Sequence, residues 1–342
     1  MINYKSGNIL QDQSDAIVNT VNCVGVMGKG LALQFKKAFP ENFKQYKKAC
    51  DHKEVKVGKM YITEYGDMLG KKYIINFPTK DHWKGNSKYE FIELGLDDLV
   101  TQIKNYNIHS IAIPPLGAGL GGLEWNIVKK LILDKLSLIE GLELNIYEPN
   151  GGPSAKSIIT NTKVPNMTRG RALLLKLLSI YSAKGYECTK LEVQKLAYFL
   201  QESGVDLKLK YEPHNFGPYA NNLNHVLSHI DGHFISGYGD RVAKSKISII
   251  NDSLDQADKF LSSEPEYQKA IERVKYLIDG YETPLSLEVL ATVHWAIKHE
   301  NYDASNFEAI KNFIYTWNEH KASIKEKYLR KALSQLQNNC WV

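Results

Sequence analysis

Three short stretches carry residue types suited to chemistry. The first is Val18-Asn19-Thr20-Val21-Asn22-Cys23-Val24-Gly25-Val26-Met27-Gly28-Lys29-Gly30-Leu31-Ala32. A β-branched run enters a turn with three glycines and continues as a helical pattern. Glycine permits positive φ and close backbone approach. A glycine-rich turn that opens a helix offers unpaired N–H groups at the positive end of the helix dipole. That suits a phosphate, or a sugar attached to one. Asn22, at the strand end, can donate to and accept from a ribose diol. The same pattern also fits a plain strand–turn–helix joint, and the P-loop pattern GxxxxGK[ST] is absent.

The second stretch is Pro114-Pro115-Leu116-Gly117-Ala118-Gly119-Leu120-Gly121-Gly122-Leu123-Glu124-Trp125. Gly117, Gly119 and Gly122 satisfy GxGxxG. A dinucleotide fingerprint belongs in the first βα turn, with an acid about 20 residues on at the next strand end. Here it follows the fourth or fifth strand, and a helix end lies at that distance. Two such loops on one sheet fit a single cleft gripping a diphosphate from both sides. The third stretch is Asn76-Phe77-Pro78-Thr79-Lys80-Asp81-His82-Trp83. It leaves a strand through a proline and places Lys80 in a loop. Such a lysine is a phosphate point charge, an amine nucleophile, or a solvated loop residue.

These stretches need a scaffold. Strand patterns cover Asp15–Asn22, Lys56–Tyr65, Lys72–Pro78, Ser110–Leu116 and Leu142–Glu148. Helical patterns cover Gly30–Phe39, Lys88–Tyr106 and Trp125–Ile139. Alternation of this kind predicts an α/β sheet covered on both faces. Residues 148–166 are rich in Gly, Pro, Ser, Thr and Asn and read as a linker, which the domain bounds below set at 155–167. Beyond it the expected elements are helices: Ala172–Tyr181, Lys190–Gln201, Asn221–His229, Gln268–Ile278, Leu285–His299, Ser305–Asn318 and Ser323–Gln337. Only Lys246–Asn251 and Val205–Tyr211 look extended. The domains expected are 1–154 and 168–342, the second mostly α-helical. At 342 residues, two domains is also the size expectation.

Composition excludes several classes. Hydrophobic residues are 43% and charged residues 24%, as in globular proteins rather than disordered or fibrous ones. No apolar run reaches the roughly 18 residues of a membrane span. The opening MINYKSGNIL has no signal-peptide core, and the four cysteines form no CxxC pair. A cytoplasmic setting without membrane contact is the expectation. Net charge is +5, but it is spread. Through residue 154 there are 19 basic and 17 acidic side chains, leaving 24 and 21 beyond. Neither part is a phosphate-binding stripe.

The three stretches together resemble a macrodomain of the DarG type, within the terminal ADP-ribose protein glycohydrolase group. The resemblance covers about residues 1–150. It implies a mixed six-stranded sheet between helices, with ADP-ribose bound across strand ends. Residue by residue it implies adenine-side contacts at Asn8 and Ile9, where many macrodomains carry an Asp before the Ile. It places Asn22 near the distal ribose, with Thr20 on the strand leading in. Gly25, Met27, Gly28, Lys29 and Gly30 match the first binding loop. Gly117, Ala118, Gly119, Leu120 and Gly121 match the diphosphate loop, and Lys80 matches the catalytic lysine. Human-type relatives have an Asp where this chain has Gly121. DarG-type sequences also lack it. The implied activity is therefore removal of ADP-ribose from DNA bases, often thymine in single-stranded DNA, rather than from protein esters. The implied catalytic pair is Lys80 and Asn22, without cofactor or metal. Lys80 would attack C1″ of the distal ribose or stabilise charge on the departing base. Burial and a nearby Lys29 could lower its pKa. An ADP-ribose-1″-phosphate phosphatase and a non-catalytic ADP-ribose reader are alternatives for the same cleft.

In the second half, Gln194-Lys195-Leu196-Ala197-Tyr198-Phe199 and Phe216-Gly217-Pro218-Tyr219 resemble a SocA-like or Panacea antitoxin domain over roughly 168–300. The resemblance implies binding and neutralisation of a DarT-type toxin. Phe216–Tyr219 is expected as a turn whose aromatics anchor helices. Trp295, Tyr315 and Trp317 are expected as core or interface anchors. His225, His229 and His233 recur at intervals of four. Asp231-Gly232 should end the helix before the third, and no HExxH glutamate is present, so metal is set aside.

Overall fold

The computed structural model describes residues 1–67, 70–149, 159–239, 246–250, 252–262, 264 and 266–342. The chain forms two compact units, Met1–Lys163 and Val164–Val342.

The first unit is built on β1 (Ile2–Lys5), β2 (Ala16–Asn22), β3 (Tyr61–Asp67), β4 (Gly70–Lys80), β5 (Ser110–Ile113) and β6 (Glu143–Tyr147). Their order in one mixed sheet is β1-β6-β5-β2-β4-β3. All neighbours are parallel except β3, which pairs antiparallel with β4. Parallel strands covered on both faces read as continuous apolar runs. β2 accordingly buries Ala16, Ile17, Val18 and Val21, and β5 buries Ile111, Ala112 and Ile113. Four helices accompany the sheet: α1 (Gly30–Ala38), α2 (Pro40–Asp51), α3 (Tyr89–Asn105) and α4 (Trp125–Leu136). On one face, Ile92, Leu96, Leu99 and Ile103 of α3 join Val128, Ile132 and Leu136 of α4 against β2, β4, β5 and β6. α1 supplies Phe35 and Ala38 to a second cluster with Ile9, Leu10, Ile17 and Ile74.

Two elements escape the sequence patterns. β1 is a four-residue edge strand with half its residues exposed. α2 buries only Asn42, Tyr46, Ala49 and Cys50. Tyr46, Ala49 and Cys50 pack with Val21, Met27 and Val55, and Asn42 adds a polar anchor. Asn42 and Asn76 exchange amide hydrogen bonds, Thr63 Oγ1 donates to Asn42 Oδ1 at 2.8 Å, and Asn19 Nδ2 donates to Asn76 Oδ1 at 2.9 Å. This buried network ties β2, β3, β4 and α2 together. Three expected boundaries also move. β3 starts at Tyr61 rather than Lys56, β5 stops at Ile113 because Pro114 and Pro115 follow, and β4 runs through Pro78 to Lys80. A central strand tolerates a proline only at an irregularity. One lies there, since the β2–β4 register shifts between Val21 and Asn22, opposite Pro78 and Lys80.

The linker expectation lies partly outside the described residues, at 150–158. Within the remainder, Ile159 packs beside Phe35 and Ala38, and Asn161 bonds the carbonyls of Lys37 and Ala38. Residues 159–163 thus belong to the first unit.

The second unit is mostly helical: α5 (Arg169–Ala183), α6 (Lys190–Glu202), α7 (Leu223–Ile230), α8 (Ser253–Leu261), α9 (Glu266–Ile278), α10 (Pro284–Lys298), α11 (Phe307–Trp317), α12 (Glu319–Ala322) and α13 (Glu326–Asn338). α6 and α10 are buried along most of their length. Val205–Tyr211 is not a strand. The extended pair is β7 (Tyr211–His214) with β8 (Gly217–Ala220). A further two-residue pair joins β9 (Ile235–Ser236) to β10 (Ser248–Ile249), so the expected Lys246–Asn251 strand is short, and Asn251 lies outside the described residues. Phe216–Tyr219 thus spans the turn and second strand of a hairpin; Phe216 is exposed but its ring meets that of His320 on α12, and the Tyr219 hydroxyl bonds Asn224 of α7. The hairpin's backbone attachment is polar. Gln194 brackets Ala220, accepting from its N–H and donating to its carbonyl, and Lys195 Nζ donates to the Pro218 carbonyl at 2.7 Å. Trp295 is buried, and Tyr315 and Trp317 pack partly buried on the core.

Candidate active site

Chain direction brings the three stretches together. β5, β2 and β4 are adjacent and parallel, so their carboxyl ends lie on one edge. In open α/β sheets that edge is where ligands bind. The first glycine loop leaves β2, the second leaves β5 on one side of it, and Lys80 ends β4 on the other.

Lys80 Nζ donates to the Leu120 carbonyl at 2.7 Å. Partial burial lowers its pKa from the ordinary lysine value. Burial is the whole cause; Lys29, enlisted for this in the sequence reading, plays no part. Lys80 is also the end of a strand, not a loop residue. Behind it, Cys23 Sγ lies 3.6 Å from the Lys80 carbonyl, and burial followed by Asp81 pushes that thiol up to about 11. A thiol held protonated is no nucleophile.

Asn22 is engaged within its own loop. Its Nδ2 donates to the Val26 carbonyl at 2.6 Å, and its Oδ1 accepts from the N–H groups of Val24 and Val26. The Tyr46 hydroxyl donates to the Asn22 carbonyl. Asn22 is the knot that folds the first loop, and Tyr46 of α2 holds the knot. Met27 differs from expectation. It is buried with Val21, Tyr46 and Ala49 and supports the loop from beneath. Gly25 is buried against Lys47 and Cys50. Thr20 and Gly28 are half-exposed and Lys29 is exposed, just before α1. No side chain caps α1, so the amides at Gly30 and after it remain available.

The second loop is tighter. Gly117 has φ +66°, and a Cβ there would lie 2.9 Å from Leu123 Cδ1 and 3.0 Å from Ser87 Cβ. At Gly121 a Cβ would overlap the Gly117 carbonyl and Ser87 Oγ. This backbone cannot house a side chain at position 121. The Ala118 amide donates to the Pro115 carbonyl, and those of Gly122 and Leu123 close turns on Gly119 and Gly117. Among the described residues, the amides of Gly119, Leu120 and Gly121 donate to no protein acceptor. The two loops face each other, since a methyl at Gly30 would lie 3.4 Å from Leu120 Cδ1.

Asn8 and Ile9 lie at the same sheet edge but beyond β6, apart from Lys80. Asn8 Oδ1 caps the turn at Ile9–Gln11 by accepting from Leu10 N–H, while its Nδ2 is buried without a partner among the described residues. The Ile9 side chain is core, leaving only its backbone for a ligand. This segment is fixed by Asp12. Burial raises that carboxyl, but bonds from Ser14, Lys5 and Tyr147 outweigh it and hold the pKa down at about 2.

Sequence reasoning missed two residues here. Tyr46 was hidden because α2 was. Ser87 sits under Gly117 and Gly121 with a buried Oγ that has no partner among the described residues. No motif singles out a lone serine. In the second unit, His225 and His229 lie on α7 and His233 beyond its end. Among the described residues no group of three or more His, Cys, Asp or Glu could hold a metal, and no helix is long and apolar enough to cross a membrane.

Residues 18–132 match the Macro domain model. A curated protein of Thermus aquaticus, named DNA ADP-ribosyl glycohydrolase, is 46% identical over 336 residues, covering 98% of this chain and 93% of its own. A Thermosipho africanus protein, named DNA ADP-ribosyl transferase–DNA ADP-ribosyl glycohydrolase fusion protein, is 38% identical over 158 residues, or 42% of this chain and 40% of its own. The solved macrodomain of Thermus aquaticus DarG is 50% identical, covers 44% of this chain and 99% of itself, and has a TM-score of 0.42. The first unit thus carries a Macro domain. The chain as a whole belongs to the DNA ADP-ribosyl glycohydrolase family.

Proposed function

We propose that this chain hydrolyses the bond between ADP-ribose and a base of single-stranded DNA, with Lys80 as the reacting side chain. The observation that carries the role of Lys80 is its 2.7 Å bond to the Leu120 carbonyl, beside loop amides that have no protein acceptor. In this reading the amides of α1's first turn and of Gly119–Gly121 hold the diphosphate. Asn22, Tyr46 and Met27 position the first loop. The C1″ of the distal ribose lies at Lys80. A carbonyl partner accepts from an ammonium and favours the charged form, so Lys80 acts as acid rather than nucleophile. The C1″–N bond breaks with its electron pair going to the base. The Lys80 ammonium gives a proton to that base, and water adds its oxygen to C1″. The proton released from water restores the ammonium. Partial burial lowers the lysine pKa and makes it the better acid.

Single-stranded DNA with one ADP-ribosylated base tests this. Wild type should release ADP-ribose, Lys80→Ala should not, and Lys80→Arg should keep a small part. The rate should fall as pH rises through the Lys80 pKa. A rate that rises over the same range would show a neutral amine nucleophile instead.

We further propose that the second unit binds a DNA ADP-ribosyltransferase toxin. The fusion in Thermosipho africanus of the two named activities supports that pairing. Cross-links from the full chain to such a transferase should map to residues 164–342. Cross-links confined to residues 1–163 would refute it.

A further inference from the structure

The proposed reaction leaves the residues after Lys80 without a task. Asp81–Ser87 is a loop tied at both ends to the two glycine loops. The Cys23 amide donates to the Asp81 carbonyl at 3.0 Å, and the Ser87 amide donates to the Gly121 carbonyl at 3.0 Å. Inside it, the Gly85 amide donates to the His82 carbonyl at 3.0 Å and the Lys84 amide to His82 Nδ1 at 3.3 Å. This is a folded rim rather than a loose connection. At its tip, Trp83 is 48% exposed and belongs to none of the hydrophobic clusters. The His82 ring stacks on it, with centroids 5.6 Å apart and planes 30° apart. Lys84 Nζ lies 5.2 Å from the same ring and is exposed. Val24 and Val26 of the first loop and Leu120 of the second are exposed as well.

We propose that Trp83 is a stacking platform for a base of single-stranded DNA next to the modified nucleotide, with Lys84 attracting the intervening phosphate. The inference rests on the hydrolysis reading above, because only a substrate joined to DNA extends past Lys80. Trp83 is three positions beyond Lys80, so at most roughly 11 Å of chain lies between them. A neighbouring nucleotide is therefore in range. An indole ring offers a π-face to any base, and an adjacent cation adds salt-sensitive attraction to the backbone. Burial does not account for Trp83, since its ring contacts are to its own loop neighbours.

The test compares two substrates in the full chain: an oligodeoxynucleotide bearing one ADP-ribosylated base, and the same ADP-ribosylated nucleoside alone. Trp83→Ala should lower kcat/KM on the oligonucleotide by about tenfold, mostly through KM. It should leave the nucleoside rate unchanged, and Trp83→Phe should restore most of the loss. Equal effects on both substrates, or none on the oligonucleotide, would overturn the platform. So would a loss confined to toxin binding. If wild type released nothing from either substrate, the hydrolysis reading itself would fall, and the platform with it.

Discussion

Lys80 and Lys195 make the same bond in two regions of the molecule. Each ammonium donates to a backbone carbonyl at 2.7 Å, and burial lowers the pKa of each. Their surroundings differ. Lys80 ends a strand at a sheet edge, partly exposed, beside loops with unpaired amides. Lys195 is 1% exposed inside the second unit, where Lys321 and Glu288 also lie buried. Lys321 donates to Glu288 at 2.6 Å and to Thr292 at 2.8 Å, and His320 contacts Glu288 at 2.9 Å. Lys195 pins a hairpin to a helix and reaches no solvent-facing group. A lowered lysine pKa therefore does not mark a reacting group. Access and free neighbours decide.

The largest effect that could break this contrast is at Lys80. Lys80→Ala should lower ADP-ribose release by roughly 10²–10⁴-fold, the range for one positioned acid. Thermal unfolding should move by less than about 0.5 kcal/mol, because the side chain supports no core. A large fall in stability would make Lys80 a structural pin like Lys195. The converse experiment is Glu288→Ala. It leaves Lys321 buried without its carboxylate, at a cost of about 3–5 kcal/mol. Calorimetry on the whole chain should show it, while hydrolysis at low temperature stays near wild type.

A smaller effect is expected at Gly121. Gly121→Ala forces a methyl onto the Gly117 carbonyl and Ser87 Oγ. The loop must shift, at about 1–3 kcal/mol. Titration calorimetry with ADP-ribose should show the loss as weaker affinity. Unchanged affinity would mean that the loop amides are not the anion site.

The same contrast explains what could be read from residue order. Strands, glycine turns and Lys80 were legible because parallel strands and turns leave strong local marks. What stayed hidden is polar and long-range. α2 carries a short apolar face, Tyr46, Ala49 and Cys50, interrupted by lysines, and its Asn42 is tied to Asn76 and Thr63. Asn22 drew notice as an amide at a strand end able to meet a ligand, but its second task, folding the first loop through Oδ1 and one Nδ2 hydrogen, shows only in the folded chain. Met27 looked like loop and is core. In the second unit the pairing of Gln194 and Lys195 with Pro218 and Ala220 crosses more than twenty residues. Phe216 and Tyr219 drew attention to aromatics, while the amide and ammonium hold the hairpin's backbone.

The smallest effect sharpens the comparison through pH. Burial, and then Lys321, lowers the Lys195 pKa to about 7, with Glu288 opposing. Facing it are the Lys321, Glu288 and Thr292 side chains and the Pro218 carbonyl. In the unfolded chain a lysine titrates near 10.4. Between these values the unfolded chain binds more protons than the folded one, so stability rises with pH. Raising pH from 7 to 9 should lift the unfolding temperature of the second unit. Lys195→Met removes the titrating group and should flatten that slope. Lys80→Met should leave it intact, because a partly exposed lysine couples weakly to folding. If both variants flattened it, the two lysines would share a role in stability, and the distinction between them would fail.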